Sequence, residues 1–170
     1  SYTDPFFLTN WADIESTSIL HGAYHFFSFD SSAQTQAENF ISTVGNGHGM
    51  LPPVVDIELY GEHKTSQPNP EVVREELRIM LDILEEYYGA KPIIYATRQS
   101  YPLYIDGYFP DCSIWIRDVY FTPKLPSDRI WDFWQYTDKG TLDGYEGPEQ
   151  YIDINVYHGS FEELEVMALG

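Results

Sequence analysis

The stretch Pro52-Pro53-Val54-Val55-Asp56-Ile57-Glu58-Leu59 decides how this chain is read. A β-branched run entered through two prolines reads as a strand. Side chains alternate along it, so Val54, Asp56 and Glu58 face one way while Val55, Ile57 and Leu59 face the other. The apolar face suits packing against helices. The acidic face carries two carboxylates at i and i+2, roughly 6 to 7 Å apart at their Cα atoms from a rise of about 3.3 Å per residue. The first of two such close acids to ionise raises the pKa of the second, which keeps a proton available for general acid work. An isolated D-x-E is common, and the plain alternative is a strand end that reaches solvent.

Working outward, five further runs rich in aromatic and β-branched residues read as strands: 23–29, 92–96, 113–117, 131–136 and 152–157. Helix patterns fall between the first three strands. Asn69-Pro70-Glu71 supplies an N-cap, a proline at the first helical position and an early acid, and Val73, Leu77, Met80, Leu81 and Leu84 follow at three-and-four spacing before Gly89. Asp4-Pro5 opens a helix through Phe7, Trp11 and Ile14, and 32–44 forms another around Ala37, Phe40 and Ile41. Strand-helix alternation predicts an α/β fold with a mainly parallel sheet and helices outside it. Beyond Thr97 the spacers 97–112, 118–130 and 137–151 are rich in Pro, Gly, Asp and Tyr, so the later strands are expected to be joined by loops and short turns. Together these patterns predict one domain, an irregular TIM-like β/α barrel with fewer than eight helices and six visible strands, its first two strands expected to lie before Ser1. The unpaired strand edges such a barrel exposes offer a route to self-association.

Acids near the C-terminal end of a parallel strand point to the face where barrel sites form. Two other stretches supply partners for Asp56 and Glu58. Tyr24-His25-Phe26-Phe27 ends a neighbouring strand, where His25 reads equally as a hydrogen-bonded core residue, and Asp153 and Asn155 share one polar face of the last strand. With 9 basic residues against 27 acidic ones and a net charge of −18, the chain would repel a nucleic-acid backbone. It gains no long-range attraction to anionic surfaces either, so substrate binding is expected to be local and mostly uncharged. A neutral polymer such as a glycan backbone fits, and the aromatic share of 16% offers rings for stacking on sugars. The lone Cys112 makes an internal disulfide impossible. No apolar run is long enough to span a membrane, and no leader peptide is visible. No cofactor or metal is called for. A metal-dependent hydrolase built on His25, Asp56, Glu58 and Asp153 is the weaker chemistry, because no H-x-x-x-H-like ligand pair accompanies them.

Seven pieces in order give the chain a specific resemblance: Tyr2-Thr3-Asp4-Pro5-Phe6-Phe7, Gly22-Ala23-Tyr24-His25-Phe26-Phe27, the Pro52-to-Glu58 stretch, Gly89-Ala90-Lys91-Pro92-Ile93-Ile94-Tyr95, Ile114-Trp115-Ile116, Trp134-Gln135-Tyr136 and Asp153-Ile154-Asn155. They cover nearly the whole chain, which resembles glycoside hydrolase family 25, the Chalaropsis-type muramidases or lysozymes. The resemblance implies an extracellular or wall-associated enzyme that cleaves the β-1,4 bond between N-acetylmuramic acid and N-acetylglucosamine in the glycan strands of peptidoglycan. It further implies that Glu58 is the proton donor, Asp56 its companion carboxylate and Asp153 a further active-site acid. Tyr24, Tyr95, Trp115 and Trp134 would line the sugar groove, with Gln135 and His25 as polar supports. The family pattern opens with an I-D-V-S-like strand whose aspartate also belongs to the site, and this chain carries no such stretch.

Two carboxyl groups about 5 to 5.5 Å apart favour a covalent retaining route and about 6.5 to 9.5 Å favour inversion. Neighbouring i, i+2 acids match neither. A third route uses the 2-acetamido oxygen of the substrate as nucleophile, with Glu58 as acid then base and Asp56 orienting the acetamido group. A chitinase-like N-acetylglucosaminidase is the nearest rival, although a longer D-x-x-D-x-D-x-E run is expected there. A glycan-binding remnant with little activity is the rival from outside enzymology.

Overall fold

The computed structural model describes residues 2–147 and 149–170. Six strands form one sheet in chain order: β1 (Tyr24–Phe26), β2 (Val54–Ile57), β3 (Ile93–Thr97), β4 (Ile114–Arg117), β5 (Phe133–Gly140) and β6 (Ile152–Tyr157). The first five run parallel and β6 returns antiparallel to β5. All six expected strands are present. The departure from a parallel sheet at β6 has a simple cause: none of the described residues between β5 and β6 is helical, and a connection without a crossover element joins antiparallel neighbours.

The helices are α1 (Phe7–Glu15), α2 (Ala33–Val44), α3 (Pro70–Tyr88) and α4 (Phe161–Val166). At the start of α3, Asn69 Oδ1 accepts the Glu71 N–H at 2.8 Å, and Gly89 ends the helix at φ +70°, where a residue with a Cβ would be strained. Ser32 caps α2 by accepting from Thr35 N. Helix α4 was not expected. It is short, but Ser160 and Glu163 form a reciprocal capping box, readable as S-x-x-E. The stretch 97–112, expected to be loop, contains one π-helical turn over Tyr101–Ile105 whose Tyr101, Tyr104 and Ile105 are buried.

Alternation along β2 divides the molecule into two apolar regions. Val55, Ile57 and Leu59 join Ile94, Ile114 and Ile116 on the convex side, where Phe40 of α2 and Leu77, Met80 and Leu84 of α3 complete the main core. On the concave side Val54, Ile93 and Phe133 form a smaller cluster, closed by Tyr157 and by Leu164 and Met167 from and after α4. The sheet is strongly curled, because side chains of strands two apart meet across the concave side: Tyr95 Oη of β3 reaches Gln135 of β5 at 2.6 Å, and Trp115 Nε1 of β4 reaches Asn155 of β6 at 2.9 Å. Meetings of alternate strands are a mark of barrel interiors. The fold is therefore a curled half-barrel of the TIM-like type with few helices. Among the described residues no helix is long and apolar enough to cross a membrane.

Leu77 is fully buried between α3 and the sheet. Its truncation to Ala is expected to cost about 2 to 5 kcal/mol, read as a lower urea midpoint at unchanged slope.

Candidate active site

Parallel register sets the site in two rows. Phe26, Asp56, Tyr95, Trp115, Phe133 and Tyr157 stand side by side on the concave face. Two residues further toward the strand ends come Thr97, Arg117, Gln135 and Asn155, and Glu58 follows Asp56 on the same side just past the end of β2. Tyr24 precedes Phe26 and is exposed at the margin of this face. Asp153 occupies the same side of β6 as Asn155, two positions away. Thus Tyr24, Asp56, Glu58, Tyr95, Trp115, Gln135 and Asp153 share one surface.

Two expected members lie elsewhere. His25 pairs in register with Val55 on the convex side, and its Nε2 meets Gln36 Oε1 of α2 at 2.9 Å. That amide is fully committed: the same Oε1 accepts Ser28 N–H, and Nε2 donates to Ser28 O and Ser31 O, so His25 supplies the remaining proton as part of the helix-sheet seam. Burial pushes its pKa down. Trp134 pairs in register with Ile116, packs beside Trp131 at 5.7 Å and donates its indole N–H to Asp118 O at 2.8 Å, again on the convex side. Both expectations fail for the same reason: each residue sits one position away from an inward neighbour, and a shift of one residue reverses the face. Asn155 shares this concave surface as its alternation with Asp153 predicts, and Phe26 and Arg117 belong to it without having been assigned to it. The alternation Ile114, Trp115, Ile116, Arg117 carried that information for Arg117.

Electrostatics separates the paired acids. Asp56 is buried, its Oδ1 has no hydrogen-bond partner among the described residues, and its pKa is pushed up to about 8, first by burial and then by the charge of Glu58. Burial also raises Glu58, but Arg117, a hydrogen bond from Tyr95 and Lys64 all pull it down, while Asp153 adds a smaller upward push. The Tyr95 hydroxyl has one proton and two acceptors in reach, Gln135 Oε1 and Glu58. Burial raises Asp153 too, with Arg117 opposing. At neutral pH Asp56 accordingly keeps its proton in the free protein, while Glu58 stays above its ordinary value because burial outweighs the opposing groups.

Aromatic rings support the floor: Tyr95 and Trp115 meet edge-on at 5.6 Å, and Trp115, Phe133 and Tyr157 continue the series at 5.4 and 4.9 Å. Among the described residues no three His, Cys, Asp or Glu side chains converge to hold a metal ion.

Fold and site together define a β/α half-barrel protein with an acidic, aromatic-lined concave face. The chain belongs to glycosyl hydrolases family 25, whose model matches residues 1–145. A structure of a family 25 glycosyl hydrolase from Bacillus anthracis is 49% identical, with a TM-score of 0.92, the match covering 98% of this chain and 76% of that one. A bacterial lysozyme from Streptomyces coelicolor is 26% identical with a TM-score of 0.86, covering 99% of this chain and 81% of that one. The YegX protein of Escherichia coli strain K12 is 35% identical over 167 residues, and the match covers 98% of this chain but only 58% of that protein. The chain thus spans less than two thirds of the length of this relative.

A carboxyl whose folded pKa is raised binds more protons folded than unfolded between its two pKa values. Its burial therefore favours folding below about pH 4 and loses that contribution as pH rises through about 8. Asp56→Asn is neutral in both states, so its melting temperature is expected to exceed that of the wild type at pH 8, and the gap should close toward pH 4; parallel melting curves across that range would refute the buried proton.

Proposed function

We propose that this protein is a muramidase that hydrolyses the β-1,4 bond between N-acetylmuramic acid and N-acetylglucosamine in peptidoglycan, acting outside the cell or at the wall. The observation that carries the reading is the Asp56 and Glu58 carboxyl pair on an aromatic-lined concave face, in a chain of family 25 with a lysozyme among its structural neighbours. One sheet and its helices hold every residue invoked, which supports reading 1–170 as a single catalytic domain.

The proton arrangement suits acetamido participation. A sugar whose acetamido N–H donates to Asp56 favours the ionised form of that carboxyl, and the proton then belongs on Glu58. Glu58 gives it to the glycosidic oxygen as the C1–O bond breaks, while the acetamido oxygen bonds to C1. Asp56 steadies the positively charged ring so formed. Glu58, now a carboxylate, removes a proton from the water that reopens the ring. Arg117 and Lys64 oppose the rise that burial imposes on the Glu58 pKa, which suits a group that must both give up and take back a proton.

Mass spectrometry of the fragments released from peptidoglycan is expected to show muramic acid at the new reducing end, and Glu58→Gln should lower the rate by about 100-fold or more. Fragments ending in N-acetylglucosamine would assign the glucosaminidase reaction instead. An N-deacetylated glycan should be cleaved far more slowly than its acetylated counterpart, and equal rates would exclude acetamido participation.

A further inference from the structure

Immediately beside Glu58, at the open ends of β2, β3 and β4, lies a cleft of about 520 Å³ whose charge is unlike that of the rest of the molecule. Lys64, Arg98 and Arg117 line it, three of the 9 Lys and Arg residues in a chain of net charge −18, against two acids, Glu58 and Asp118. The cleft on the other side of the concave face, about 350 Å³, is lined by Asp138, Glu149 and Asp153, with no Lys or Arg among its described lining residues. The groove is therefore electrically polar along its length.

The cations are built into the cleft to different degrees. Arg98 Nε meets Asp118 Oδ2 at 3.3 Å, and Asp118 is buried with its Oδ1 accepting the N–H groups of Tyr120 at 3.1 Å and Phe121 at 3.0 Å. The ring of Phe121 lies 5.5 Å from the Arg98 guanidinium carbon. The Asp118 contact uses one donor of the guanidinium fork, which has four more. Arg117 is anchored by Asp138 at 2.6 Å. Lys64 ends a 3₁₀ turn over Gly61–Lys64 and makes no ion pair among the described residues. An exposed ammonium and an anchored guanidinium flanking one cleft suit a carboxylate, which a guanidinium can grip through two parallel hydrogen bonds.

Resting on the muramidase reading, we propose that this cleft is a subsite for the carboxylate borne by the 3-O-substituent of the muramyl sugar, with Lys64 and Arg98 as its specificity determinants. The chemistry of the substrate points the same way. If the sugar at the acid pair is the one whose acetamido group participates, it is muramic acid, and its 3-O-lactyl group sits on the ring carbon next to the acetamido carbon. Without a peptide the lactyl group ends in a free carboxylate; with one attached that carboxyl is an amide, and the carboxylates belong to the peptide further from the ring. Uncharged N-acetylglucosamine polymers lack both.

The test compares the full chain with Lys64→Gln/Arg98→Gln on four soluble oligosaccharides: N-acetylglucosamine–N-acetylmuramic acid repeats without peptides, the same with peptides, the peptide form with its carboxylates converted to amides, and an N-acetylglucosamine hexamer. Reducing-end release gives kcat and KM, and calorimetry in a Glu58→Gln background gives affinity without turnover. Because Lys64 also lowers the pKa of Glu58, each variant is assayed at its own pH optimum. There the double variant is expected to raise KM about tenfold on carboxylate-bearing glycans, the size of one charge-assisted hydrogen bond, while KM and calorimetric affinity for the hexamer stay unchanged, and 0.5 M salt should shrink the difference. Full effect on the peptide-free repeats assigns the lactyl carboxylate, and an effect confined to the peptide form and abolished by amidation assigns the peptide. Lys64→Glu/Arg98→Glu, at two exposed side chains where folding is not at stake, should reverse the preference in favour of the hexamer. Equal changes on charged and uncharged glycans, or none, would overturn the subsite while leaving hydrolysis intact. Absence of turnover on every glycan, with charge discrimination preserved in the calorimeter, would instead overturn the muramidase reading and leave the subsite.

Discussion

Strand β2 has to satisfy two environments at once, and most of the structure follows from how it does so. Val55, Ile57 and Leu59 are sealed by α2 and α3, so the backbone that carries Asp56 has no freedom to slide or turn. A slip of one residue would put two carboxyls into the main core and three apolar side chains into the groove. The apolar floor of Val54, Ile93 and Phe133 then takes water away from Asp56 from below. Desolvation of one acid beside another is what stores a proton in the site, and neither the burial nor the neighbour would do so to the same degree alone.

Curl supplies the second ingredient. A flat sheet would keep Tyr95 and Gln135 about two strand spacings, roughly 9 to 10 Å, apart, yet their side chains meet at 2.6 Å. The same bending joins Trp115 to Asn155. These cross-groove bonds hold aromatic rings by their polar edges, so the faces remain available to a ligand. They also tie the tuning of Glu58 to the shape of the barrel: Gln135, two strands away, competes with Glu58 for the single proton of the Tyr95 hydroxyl.

How much of this was legible in the sequence depended on the length of the pattern being read. The six strands and three longer helices announced themselves through alternation, capping residues and three-and-four spacing, each repeated over several residues. The paired acids were legible because Val54, Asp56 and Glu58 sit within an unbroken alternation. His25 and Trp134 lie outside the groove although the resemblance implies a place in or beside it, because that implication passes over their parity with Tyr24 and Gln135. Curvature was harder still. The antiparallel return of β6 follows from its helix-free connection, but the meeting of strands two apart depends on how far the sheet bends, which is a property of all six strands together and is written in no single segment.

Charge shows the same distinction between global and local. A net charge of −18 argues against long-range attraction to an anionic wall, and sequence reasoning extends that to a mostly uncharged mode of binding. At physiological salt, exposed charges further apart than about 8 Å are largely screened from one another. A carboxylate delivered to Lys64 and Arg98 therefore feels those two cations far more than the acids spread over the remaining surface. Repulsion at a distance and attraction at contact are compatible: on the muramidase reading, their combination would disfavour loose adsorption to the wall while leaving close engagement of a correctly seated sugar intact. The physical cost of an acidic surface would then be paid in encounter rate, with the cations beside Glu58 acting only once a glycan is in the groove.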